Sequence, residues 1–174
     1  MDTPPGVRAH LQGVPEGNGE RVVKALTLYP EWAWAICELG KRIENRTWIA
    51  ERMKGQLLAI HGGKNIGGHA RRGDWHLDIA DVLAQKTGRR DASRAEMARG
   101  VEAAQKHAGA IVAVARVVGF AQESSDRWFV GPYGWLLDDV RVLARPVPMK
   151  GAMGLWEVPA AAEVDIRAQL AGAS

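Results

Sequence analysis

The run Ala110-Ile111-Val112-Ala113-Val114-Ala115-Arg116-Val117-Val118 is apolar at almost every position and dense in β-branched residues. Successive side chains of a strand point to opposite faces, so a segment apolar at both alternations has to be covered on both. It predicts a central strand in a sheet packed on either side. A chain of 174 residues holds one such core comfortably and not two, which predicts a single domain over residues 21–174. The first 20 residues are rich in Pro and Gly without apolar periodicity and read as a flexible arm.

Around this strand the other elements follow from local signals. Val22 to Leu28 is a β-branched and apolar run that reads as a first strand. Tyr29-Pro30 turns the chain, because Pro suits the first position of a helix and holds its predecessor extended. Trp32, Ala35, Ile36 and Leu39 recur at helical spacing, and Gly40 stands where a left-handed cap is expected. Gln56 to His61 reads as a buried strand entering the loop Gly62-Gly63-Lys64-Asn65-Ile66-Gly67-Gly68. An inserted helical pair over about 68–108 comes next. Its first helix carries a stripe of Trp75, Ile79, Val82 and Leu83, and its second opens on a capping box of Ser93 and Glu96. Gly109 closes the pair, Gly131-Pro132-Tyr133-Gly134 turns into a strand from Trp135 to Leu143, and Gly154 to Val158 precedes a helix from about Ala160 to Leu170. This order is neither strictly alternating nor all-β. It predicts an α+β fold around a curved sheet or small β-barrel.

Composition narrows the classes of function. No apolar run approaches the roughly 20 residues that a membrane span needs, and the opening Met1 to Gly6 lacks the pattern of a secretory signal. A cytoplasmic protein with no membrane partner is expected. One cysteine, Cys37, builds no disulfide framework. His69 and His76 are seven apart on one expected helix, about 10 Å along its axis, too far to share an ion, so no metal site and no cofactor are expected. Asp74, Asp78 and Asp81 share a helix face and read as solvated surface. The net charge of +3 and pI near 9.2 permit a polyanionic partner without requiring one. Seven Trp against two Phe and two Tyr is unusual; an indole serves a core or a base-stacking surface.

Gly40-Lys41-Arg42-Ile43-Glu44-Asn45-Arg46 concentrates charge where a helix should give way to a strand. Lys41 and Glu44, three apart, share a side in helical or turning chain, and Glu44 and Arg46, two apart, share one in extended chain. All three can converge. Two cations flanking one carboxylate then form either a structural salt-bridge cluster or a site whose Arg46 forks a phosphate or a base edge. The loop after His61 offers backbone N–H groups and Lys64 to an anion, or is an entry to the helical pair; it is neither a Walker A loop nor a Gly-x-Gly-x-x-Gly turn. His61 is a contact in the cleft or a satisfied core histidine.

Leu26 to Trp34 followed by Gly40 to Trp48 resembles the opening of ASCH-domain proteins of the PUA-like superfamily, whose hallmark is Gly-x-Lys-x-x-Glu-x-Arg. Gly55 to His61 with Lys64, Gly131 to Trp135, and Pro148 to Gly151 with Gly154 to Trp156 are similar in order and spacing. Lys41, Glu44 and Arg46 match the hallmark one by one, whereas its glycine falls on Leu39 and Glu31 is an extra residue. The resemblance spans most of residues 22–158 and implies a PUA-like barrel with a cleft for a single nucleotide or modified base. It implies recognition of RNA or of an unpaired or modified nucleotide by Tyr29, Arg46, His61, Lys64, Trp135 and Lys150, with Trp34 or Trp48 as a second aromatic wall. The alternative is a hydrolase in which Lys41 and Glu44 are catalytic. A ribonuclease would use Glu44 as general base. An acetylcytidine amidohydrolase would need a Thr nucleophile where this chain has Glu44, although Thr47 is near.

Overall fold

The computed structural model describes residues 21–172 except 23 and 67–74, with the backbone alone for 75–78. The expected arm, Gly67, Gly68, His69, Arg71, Arg72 and Asp74 lie outside the described residues, as do the side chains of Trp75, His76 and Asp78. The elements run β1 (Lys24–Leu28), α1 (Pro30–Glu38), β2 (Ile43–Arg46), a 3₁₀ turn (Glu51–Met53), β3 (Leu57–Gly62), α2 (Trp75–Thr87), α3 (Arg94–Gln105), β4 (Ala110–Ala121), β5 (Tyr133–Pro148), β6 (Leu155–Glu157) and α4 (Ala160–Ala171). Six strands form one mixed sheet in the order β2-β5-β4-β3-β1-β6. β1 and β3 are parallel, and the other pairs are antiparallel.

β4 lies inside the sheet between β5 and β3, as its apolar run requires. One face packs Leu26, Leu58, Ile60 and Trp135 against Ala33 and Ile36 of α1. The other packs Ala25, Ala59, Ile111 and Val114 against Ala162 and Ile166 of α4. Neighbouring residues thus enter opposite cores, which is the period of two expressed in packing. The two-sided burial ends at Arg116 and Val118, which is 43% exposed. Both strands of the long hairpin outrun their expected ends, β4 at Ala121 and β5 at Pro148. Register shifts along the pair, with Asp139 at φ 45° on β5, let so long a ribbon coil while staying hydrogen-bonded.

The helical pair packs on α1 rather than on the sheet: Ile79, Val82 and Ala104 meet Trp34 and Ala35. Its capping box is formed, with Ser93 N–H donating to Glu96 Oε2 at 2.7 Å and Glu96 N–H to Ser93 Oγ at 3.2 Å. Gly40, at φ 75°, takes the left-handed turn that ends α1. The sheet curls until β2 and β1, with three strands between them, meet where Arg46 Nη2 donates to the Thr27 carbonyl at 3.2 Å. Among the described residues the result is a half-barrel with four helices in the α+β class, consistent with a PUA-like fold. No described helix is long and apolar enough to cross a membrane.

Candidate nucleotide-binding cleft

Lys41 leaves the end of α1, and β2 begins two residues later. Its ammonium is buried, with 1% of the side chain exposed. Nζ donates to the Ile43 carbonyl and to Glu44 Oε2, the latter at 2.8 Å, and lies 5.7 Å from the centre of the Trp32 ring. Glu44 and Arg46 point the same way from extended chain, and Arg46 Nη2 stands 3.2 Å from Glu44 Oε1. Both carboxylate oxygens are therefore engaged by cations. Arg46 Nη2 also donates to the Thr27 carbonyl, at a point on β1 beyond the last pair made by β6. Arg46 Nε is buried without a hydrogen-bond partner. Its side chain is 22% exposed against 10% for Glu44, so the cluster opens outward at Arg46. Two cations against one carboxylate leave an excess positive charge there.

Beside this cluster stands a second polar group. His61 faces Thr27 across the parallel β1–β3 pair and is 1% exposed. Its Nε2 lies 3.1 Å from the Met149 carbonyl, an acceptor only, so Nε2 carries the proton and Nδ1 is the lone-pair nitrogen. Burial holds the imidazole pKa below its ordinary 6.5, opposed in part by the Met149 carbonyl. Trp156 packs edge-on against the imidazole, with centroids 5.5 Å apart, and its Nε1 donates to Thr27 Oγ1 at 3.0 Å. Gly151 closes over both groups: a Cβ there would collide with Thr27 Oγ1 and stand 2.7 Å from His61 Nδ1.

The other expected site residues divide into those at the surface and those in the core. Lys64, in the loop after β3, and Lys150, between β5 and β6, are exposed. Tyr29 is half-buried, and its carbonyl accepts from Trp32 N–H at 3.0 Å and Ala33 N–H at 3.1 Å at the start of α1. Trp135 corrects the expectation of a stacking wall. It is fully buried, its Nε1 donates to the Trp48 carbonyl at 2.9 Å, and it makes edge contacts with Trp48 and Phe120. An indole so enclosed has no face for a base. Trp34 is likewise buried, against the helical pair, and Trp48 is half-buried against Trp135. Trp32 lies half-buried beside Lys41.

Thr27, Gly151 and Trp156 escaped the sequence reading as site residues. Thr27 was the most legible of them, being the lone hydroxyl in an otherwise apolar run from Ala25 to Leu28. Thr47 is exposed. Cys37 is half-buried, and burial, assisted by Glu38 and opposed by Arg42, pushes its thiol pKa up to about 12, which leaves no thiolate nucleophile near neutral pH. Among the described residues, no group of three His, Cys, Asp or Glu is placed to hold a metal ion.

No protein-family model and no curated protein matches the chain. Among solved structures it is similar to ASCH from Zymomonas mobilis, with 12% identity, a TM-score of 0.48, and coverage of 83% of this chain and 93% of that one. Two single-substitution variants of that ASCH protein also match. The Tyr-to-Phe variant does so at 13% identity and TM-score 0.44 over 83% of this chain and 96% of that one. The Ser-to-Ala variant does so at 14% and 0.44 over 88% and 99%. At such identities the likeness is one of fold.

Proposed function

We propose that the cleft at Arg46 recognises RNA or a single modified nucleotide, holding a phosphate or an acceptor edge of a base on the Arg46 guanidinium. The observation that carries this reading is the gradient of exposure within the triad. Lys41 is enclosed, Glu44 is engaged on both oxygens, and Arg46, with 22% of its side chain exposed, is the member that opens outward. A guanidinium braced by a carboxylate and a backbone carbonyl is pre-organised, so little ordering remains to oppose binding. Lys64 and Lys150 add exposed cations for a phosphate backbone.

Binding is favoured over hydrolysis by the same geometry. A ribonuclease reading needs Glu44 to accept a proton from a ribose hydroxyl, yet each of its oxygens already faces a cation. An acyl-enzyme reading lacks its nucleophile, since position 44 is Glu. Fluorescence anisotropy with single-stranded RNA and with 5′-nucleotides tests the proposal. Arg46→Ala should lose tenfold or more in affinity, and Lys64→Ala and Lys150→Ala should each flatten the salt dependence by about one ion. RNA binding indifferent to salt and to Arg46 would defeat it. Turnover abolished by Glu44→Gln would restore the hydrolase.

A further inference from the structure

We infer that His61 Nδ1 is the base-reading acceptor of a subsite beneath the strap 149–154, and that the group it takes is an N–H donor of a nucleobase. The inference rests on the nucleotide reading above and names what that site would select.

The lone pair is fixed in place by geometry. Nε2–H is committed to the Met149 carbonyl, so Nδ1 can only accept. It is buried and has no partner, a condition that destabilises the closed form and that a donor would relieve. Protonation offers little escape, because burial already disfavours the imidazolium. The acceptor also has the right neighbour. Thr27 carries Arg46 on its carbonyl and Trp156 on its hydroxyl, and the imidazole faces it across the strand pair. An anion on Arg46 and a base at His61 would therefore belong to one ligand.

The cover over Nδ1 is slight. Met149 ties down the strap's first residue, donating its N–H to the Gly109 carbonyl at 3.0 Å and accepting from His61. Gly151 then lies over Nδ1 with no side chain, and Lys150, Ala152, Met153 and Gly154 are exposed, Met153 at 98%. Lifting Gly151 uncovers the lone pair without disturbing either core, and Lys150 rides on the same strap.

Nucleotide pairs in which methylation replaces an N–H donor test this by calorimetry, with the His61 variant separating loss of the donor from added bulk. The probes are 5′-AMP and 5′-CMP against their exocyclic N,N-dimethyl forms, and 5′-GMP and 5′-UMP against their N1- and N3-methyl forms. For at least one pair the wild type should prefer the N–H form about tenfold, and His61→Phe should abolish that preference while binding through Arg46 persists. Imidazole ¹⁵N spectra of the wild type give a readout independent of the variant's folding: the Nδ1 resonance should shift when the preferred nucleotide is added. Equal affinity within every pair, or a preference that survives in His61→Phe, overturns the inference and leaves the Arg46 reading standing. Failure of the wild type to bind any of the eight overturns the inference, and failure to bind single-stranded RNA as well overturns the Arg46 reading with it.

Discussion

Lys41 is the residue whose removal should be felt most in stability. With 1% of its side chain exposed and Glu44 beside it, loss of the ammonium would leave a carboxylate held by Arg46 alone in a site built for two cations. Lys41→Met should destabilise the protein by on the order of 3 kcal/mol in urea denaturation, and adding Glu44→Gln should recover part of that loss. His61 supplies a pH dependence. Its folded pKa lies below 6.5, so the unfolded chain binds the proton more readily. Stability from this group is complete above pH 6.5 and declines as pH falls toward the folded pKa. His61→Phe should remove that portion of the slope, measured as urea midpoints from pH 7.5 to 4.5. The triad was legible at this scale because spacings of three and two are geometric. Trp135 was not, since an indole in a strand reads identically whether its face meets solvent or Phe120.

Helices announced themselves well: Pro30 begins α1, Gly40 ends it, and Ser93 with Glu96 opens α3, all as local chemistry dictates. Strand ends were harder. β5 continues to Pro148 because its pairing to Ala110 and Ile111 continues, a fact of the partner strand rather than of its own residues. The joint between β3 and the helical pair is equally non-local. Gly62 packs against the His107 carbonyl so closely that any Cβ would overlap it, and Gly109 N–H holds the two segments together on the Gly62 carbonyl at 2.8 Å. Neither side can withdraw. Gly62→Ala should therefore lower stability by roughly 1–3 kcal/mol, read as a drop in the thermal midpoint by circular dichroism; an unchanged midpoint would contradict this packing.

For the molecule as a whole, the sheet order sets where stability resides. β4 and β3 are hydrogen-bonded on both sides and covered by α1 on one face and α4 on the other, whereas β2 and β6 are edges. Native-state hydrogen exchange should find the slowest amides in β4 and β3 and the fastest strand amides in β2 and β6. Protection of β6 equal to that of β4 would argue against this order. Curling of the sheet also builds the cleft, since Arg46 and Thr27 come from strands that never pair. The amino-acid sequence by itself determined the α+β class, the two-faced burial of β4, the cap chemistry of α1 and α3, and the convergence of Lys41, Glu44 and Arg46, because each depends on residues within a few positions of one another. Tertiary structure alone decided that Trp135 is core, that Arg46 closes onto Thr27, and that Gly151 covers a lone pair of His61, because burial and hydrogen-bond partners at those points come from segments distant along the chain.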